Sequence, residues 1–450
     1  MIVSSNLRYS CHSNCNLLTF RRDYCNIFSK YYIKSDFNTN ASFQTRTFTR
    51  GSFWRTYRLV TWRKYKWCMR MQCTQKVVTQ FLHSKGKIPY KSKLTEMQLV
   101  NPAQNLTGLT ILDEWIVENP INLRENGSTG GHFCIPYEVR SIKSGQRAFL
   151  KVLDVVKAIQ RYGNDGIGVA ETLSRITNSH LFESQLMAAC QAKRLNRVVR
   201  ALAFGEISLE LPPLGQIGFP YLIFELADGD THKVLQIAGK LDLAWWFTTL
   251  HQAAVGVQQL HGIDIAHQDL KPSNVVFFGV DNAKLADLGR AARKGVGSPN
   301  DNRAGDICYA PPEYYYAYSS NDWSERFLAM DLYLLGNLAF TGVTGLSITT
   351  ALFNCLPSAF LPANHRGNYG EALPALIHAL AETLQLVRQD VPESIRDLFL
   401  STIEQLCHPD PSMRGHPKNH RMIAGNRFSV ERFVSAFYRM AVLAKQQIAQ

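Results

Sequence analysis

The stretch His267-Gln268-Asp269-Leu270-Lys271-Pro272-Ser273-Asn274 places a carboxylate, an ammonium and an amide on one short segment. Transfer of a phosphoryl group from a metal-bound nucleotide needs these three groups. Asp269 can accept or orient a hydroxyl proton, and Lys271 can neutralise charge on the phosphoryl group in flight. Asn274, five positions after the Asp, can hold Mg²⁺ through its amide oxygen. Read singly, each residue is ordinary in a polar surface turn, so the flanks have to agree.

They do, in order. Leu241 to His261 carries a helical apolar stripe (Leu243, Phe247, Leu250, Ala254, Val257, Leu260) that delivers the chain to this loop. Thirteen residues after Asn274 comes Asp287-Leu288-Gly289, then Gly305-Asp306-Ile307-Cys308-Tyr309-Ala310-Pro311-Pro312-Glu313, Asp331 with Gly336, and Asp410-Pro411-Ser412-Met413-Arg414. The set resembles the protein-kinase superfamily. The H-R-D-L-K-P-x-N loop is matched at every fixed position except the Arg, here Gln268, and the Lys two places after the Asp resembles Ser/Thr kinases. The resemblance implies catalytic Asp269 and Lys271, metal-holding Asn274 and Asp287 (D-L-G for D-F-G), and structural roles for Asp331, Glu313 and Arg414. Glu313 and Arg414 would form a buried bridge. Asp306 and Pro311 depart from the family's G-T-x-x-Y-x-A-P-E.

Towards the N-terminus, short β-like runs (Trp115 to Val117, Cys134 to Val139, Arg147 to Leu153) lie between Gly, Asn and Ser turns. They resemble the first three strands of a kinase N-lobe. Between the first two, Gly130 and Gly131 stand where a Gly-rich loop covers nucleotide phosphates, although the family's G-x-G-x-x-G-x-V is out of register and a plain hairpin turn remains a reading. Lys151 in Ala148-Phe149-Leu150-Lys151 resembles the V-A-I-K lysine. A helix over Ser179 to Asn196 carries Glu183 as its candidate partner, leaving about 155–178 as an insertion. Phe219 to Ala227 reads as a buried strand running into a turn, which resembles the strand and hinge joining the two kinase lobes; the resemblance implies that Phe224 guards the pocket and that Glu225 and Ala227 offer backbone groups to adenine.

At 450 residues, 46% of them hydrophobic, the chain is long enough to bury a large core. Its net charge of +13 is unevenly spread: residues 1–96 hold 18 Lys and Arg against three acids, while the remainder sums to −2. Residues 1–96 read as a basic, disordered extension; single-strand nucleic-acid stacking (Trp62 to Trp67), an organellar leader or a membrane-surface patch are the other readings. The ten cysteines are scattered, and Cys68 and Cys73 read as free thiols, which points to a reducing, cytoplasmic setting. The uncharged run Leu332 to His365, broken by Asn, Pro and Gly, reads as a buried core helix followed by a loop.

The expected fold is α+β, a two-lobed protein-kinase-like fold: N-lobe 97–227, β-rich, and C-lobe 228–450, α-helical. The implied activity is transfer of the γ-phosphoryl of ATP, with Mg²⁺, to Ser or Thr of a protein substrate. A pseudokinase and a small-molecule phosphotransferase remain as other classes. No nucleic acid is required, no membrane span is expected, and oligomeric state is left open. Gln268 offers no cation to a phosphate on Ser298, and Asp306 is expected near Asp269 and Lys271, or else pointing to solvent or bonded to Tyr309.

Overall fold

The computed structural model describes residues 100–121, 133–237, 241–296, 305–422 and 425–448. Among them, β1 (Thr110–Ile111), β2 (Trp115–Pro120), β3 (Cys134–Ser141), β4 (Arg147–Leu153), β5 (Ala201–Glu210) and β6 (Gln216–Glu225) form one antiparallel sheet, in the order β1-β2-β3-β4-β6-β5. Two-residue alternation does the sorting in β4. Ala148, Leu150 and Val152 are fully buried, and Lys151 therefore projects from the other face.

Two helices, α1 (Val155–Asn164) and α2 (Val169–Ala192), join β4 to β5. The presumed insertion is therefore mostly helical, and α2 starts ten residues before the expected Ser179. Asp154 caps α1 by accepting from Lys157 N–H at 2.9 Å, and Val155, Val156, Ala158 and Ile159 bury its inner face in the sheet's core. The glycines of this segment lie at the break; Gly166 has φ +80, so they separate two helices instead of marking a loop.

The second lobe begins with β7 (Gly229–Asp230), α3 (Thr231–Ile237), α4 (Leu243–His261), β8 (Ile265–Ala266), β9 (Val275–Phe277), β10 (Ala283–Leu285) and β11 (Ala292–Arg293). Then follow α5 (Pro312–Tyr315), a π-helical turn (Ser324–Leu328), α6 (Ala329–Thr344), α7 (Ile348–Cys355), α8 (Tyr369–Val387), α9 (Glu393–Leu406), α10 (Pro417–His420) and α11 (Glu431–Ile448). The uncharged run is thus α6 followed by a second helix, α7, where a loop was expected. Ser324–Thr344 is long and apolar enough to cross a membrane by length and composition, and 78% of its apolar window is buried inside the fold.

Two apolar cores result. One fills the sheet against α1. The larger one packs α4, α6, α9 and α11 together and extends to Phe182, Leu186 and Met187 of α2 and to Leu222 and Phe224 of β6. Burial of each such side chain contributes about 1.5–3 kcal/mol. That burial holds α2 in the orientation that points Glu183 at Lys151.

Candidate active site

The loop 267–274 is suspended from α6. Asp331, with no exposed surface, accepts from His267 N–H at 2.7 Å on one oxygen and from Gln268 N–H at 2.8 Å on the other. His261 Nε2 lies 2.9 Å from it as well. These bonds hold Gln268 at φ +64, a left-handed conformation that disfavours side chains. The Gln268 amide turns inward, donating to Asp331 Oδ1 at 2.9 Å and to the Phe327 carbonyl, in the π-helical turn, at 2.8 Å. It faces α6 and the π-helical turn; Ser298 lies outside the described residues.

Within the loop, Asp269 Oδ2 lies 3.0 Å from Lys271 Nζ and accepts from Asn274 Nδ2 at 2.9 Å. Asn274 Nδ2 also bonds the Asp269 carbonyl at 2.8 Å, so its amide oxygen is the arm left for a cation. Burial pushes the Asp269 carboxyl above its ordinary range, opposed by Lys271. Burial works against the Lys271 ammonium, but Asp269 and then Asp306 outweigh it and the net shift is upward.

From the sheet, Lys151 Nζ reaches Glu183 at 2.9 Å and Asp287 Oδ1 at 3.1 Å. Burial opposes the charge on Lys151, yet Asp287 and Glu183 raise it well above its usual range; Lys151 in turn holds Asp287 well below the usual carboxylate range. Asp287 is 36% exposed at its side chain and stays ionised. Its carboxylate and the Asn274 amide are hard oxygen donors suited to Mg²⁺, which takes one or two protein ligands plus phosphate oxygens. Among the described residues no group of three His, Cys, Asp or Glu could hold a metal alone, in keeping with such a shared site.

Lys151, Glu183, Asp269, Lys271, Asn274 and Asp287 are therefore brought together. The remote bridge forms too, with Arg414 donating to both Glu313 oxygens at 2.7 and 2.6 Å. Gly130 and Gly131 lie outside the described residues, as do residues 1–96. Glu225 needs qualification, because its carboxylate accepts from Arg200 N–H at 2.8 Å and from Lys284 at 2.6 Å, and its N–H donates to the Arg200 carbonyl at 3.1 Å, leaving its own carbonyl, beside the main chain of half-buried Ala227, for adenine. Asp306 lies on the Lys271 side, with one oxygen 3.8 Å from that ammonium, while the other caps the turn Ile307–Tyr309 by accepting from Cys308 N–H at 3.0 Å, where Tyr309 was the expected alternative partner.

Some contributors show their role only in the fold. A Cβ on Gly305 would overlap the Asp269 carboxylate, so only glycine lets the segment close over it. Gly229 is similarly required, since a Cβ there would stand 2.9 Å from the Phe277 ring across the β7–β9 pairing. Thr231 Oγ1 donates to the Pro272 carbonyl at 2.7 Å and ties α3 to the loop. Gly229 and Thr231 carry no local signal, because each acts through a residue tens of positions away; Gly305 opens the matched Gly305–Glu313 stretch, but its contact with Asp269 is visible only in the fold.

Residues 171–419, more than half of the chain, match the family model for the protein kinase domain. The chain belongs to the protein kinase family. It is similar to the serine/threonine-protein kinase GIN4 of Saccharomyces cerevisiae (28% identical over 230 residues, 49% of this chain and 19% of that protein). It is also similar to mitogen-activated protein kinase 13 of Arabidopsis thaliana (26% over 219 residues, 46% and 58%) and to the rhodopsin kinase GRK7 of Sus scrofa (37% over 79 residues, 18% and 14%). The chain thus spans less than two thirds of the length of each of these relatives. The matched span opens inside α2, so the strands carrying Lys151 precede it.

Proposed function

We propose that this kinase-family chain transfers the γ-phosphoryl group of ATP to Ser or Thr side chains of protein substrates. The observation that carries the reading is the double engagement of Lys151 by Glu183 and Asp287, across a short gap from the Asp269–Lys271–Asn274 cluster. Bound Mg²⁺ would neutralise phosphate charge between Asp287 and Asn274. The chain's own residues do the rest. Lys151, kept cationic by two carboxylates, orients the nucleotide phosphates; the main chain at Glu225 and Ala227 receives the base. Asp269, fixed by Asn274 and Lys271, orients the acceptor hydroxyl and takes its proton, and Lys271 screens the charge that builds on the transferring group. Alignment and fixed charge supply most of the acceleration. The printed names of the relatives and the Lys at position 271 support Ser or Thr as acceptor. We place the protein in the cytoplasm on the same footing: among the described residues Cys134, Cys190, Cys355 and Cys407 are thiols outside any disulfide, which a reducing compartment preserves.

The test is incubation of the full chain with labelled ATP, Mg²⁺ and generic protein substrates, beside Asp269→Asn and Asp287→Asn. Label should appear on Ser or Thr with wild type and disappear with Asp269→Asn, whose Mg·ATP affinity stays nearly unchanged. Asp287→Asn should weaken metal-dependent nucleotide binding. Nucleotide binding without label on protein would assign the chain to the pseudokinases.

A further inference from the structure

A cavity of about 560 Å³ lies where the C-terminal end of α2 meets the start of β5, the last residue of β6 and β10. It lies behind the candidate active site: none of Lys151, Asp269 or Asp287 lines it, and the shared residue, Glu225, has its carboxylate on Lys284 of the cavity lining. Its floor is apolar, built from Met187, Cys190, Val198 and Val199, all buried. Its rim is cationic. Arg194 and Arg200 are both exposed, and among the described residues neither guanidinium has a carboxylate partner. The third cation, Lys284, is neutralised by Glu225 at 2.6 Å, leaving the two arginines as the uncompensated charge of the lining.

An apolar floor beneath two uncompensated guanidinium groups suits a ligand that joins an apolar side chain to carboxylates. Guanidinium groups pair with carboxylates through two parallel bonds. We infer that this cavity is a docking site for an acidic peptide segment of a partner protein, one aliphatic or aromatic side chain filling the floor and adjacent Asp or Glu residues engaging Arg194 and Arg200. The chain's own N-terminal extension is the wrong occupant by charge, since residues 1–96 carry 18 Lys and Arg against three acids. The position has a consequence for the active site. The walls are the helix that carries Glu183 and the strand that runs on to Asp287, so an occupant braces the two elements that hold Lys151. The inference concerns binding and stands independently of the proposed activity.

The experiment pans a display library of random 12-residue peptides against the full chain and against Arg194→Glu/Arg200→Glu, the fold of the variant being checked by its melting temperature. Peptides enriched by wild type should combine Asp or Glu with Leu, Ile or Phe. Resynthesised, they should bind with affinity that falls at least about tenfold in the double variant, and likewise when the apolar residue is changed to Ala. Excess ATP should not displace them. Failure to enrich any arginine-dependent peptide, displacement by ATP, or equal competition by inorganic phosphate with no need for the apolar residue would each overturn the inference. The last outcome would mark a plain anion patch.

Discussion

Replacing Arg414 by Met is the sharpest test of the fold's internal electrostatics. Arg414 is fully buried and all of its guanidinium nitrogens are used: Nη1 and Nη2 bond Glu313 at 2.7 and 2.6 Å, the same atoms reach the Ala329 and Pro409 carbonyls at 3.3 and 3.2 Å, and Nε bonds the His408 carbonyl at 2.8 Å. The cation also stands 4.8 Å from the centre of the Tyr333 ring. Met preserves much of the side-chain volume but strands a buried carboxylate, which costs about 3–5 kcal/mol. With the orphaned carbonyls, the expected loss is about 5 kcal/mol. At about 2.1 cal/mol/K per residue over roughly 350 folded residues, the melting temperature should fall by about 7 °C. Removing both partners, in Glu313→Leu/Arg414→Met, should recover about 2–3 kcal/mol of the single variant's loss. Urea unfolding followed by Trp fluorescence is suited to this, since Trp245, Trp246 and Trp323 all belong to the helical lobe. A single variant within about 1 kcal/mol of wild type, or a double variant as damaged as the sum of the two singles, would refute the reasoning.

His180 supplies a pH dependence of its own: burial, then the Lys151 charge, lower its imidazole from 6.5 to about 4, so between those values the unfolded chain binds a proton that the folded chain refuses. Stability should therefore fall as pH drops through that window, by about 2–3 kcal/mol, and His180→Leu should flatten the slope of urea midpoints measured from pH 7 to 5; an unaltered slope refutes the assignment. Asp306→Thr keeps a turn-capping oxygen but frees Lys271 from the carboxylate 3.8 Å away, and turnover on one peptide at saturating ATP should rise about fivefold, on the order of 1 kcal/mol; an equal or lower rate counts against it. Gln268→Leu removes the donors to Phe327 and Asp331 and should cost about 2 kcal/mol in chemical denaturation. Wild-type activity should survive phosphatase treatment, because that amide is already committed to α6, and silencing by phosphatase would contradict this.

The chemistry of the site was largely legible in the chain because its decisive groups are close in sequence or lie on strongly patterned elements. Asp269, Lys271 and Asn274 share one loop, Lys151 sits on a strand whose alternation separates it from Ala148, Leu150 and Val152, and Asp287 follows β10 at once. The less legible parts are those in which a local reading had equal competitors. The glycines at 163, 166 and 168 looked like an irregular insertion, and only packing of Val155, Val156 and Ile159 on the sheet decided for α1.

By itself, the sequence determined which groups are available and in what order they come: the acid, the lysines, the metal-holding oxygens and the Glu313 and Arg414 that later meet. Tertiary structure decided where the side chains with several possible partners spend their hydrogen bonds. Glu225 turned to Lys284 instead of the cleft, Gln268 turned to Phe327, Asp306 divided itself between Lys271 and Cys308, and Arg194 and Arg200 were left unpaired beside an apolar floor. Covalent spacing fixes a motif within a few residues. A rotamer is chosen only when groups far apart in the chain are packed against each other and nearly all buried donors must find acceptors.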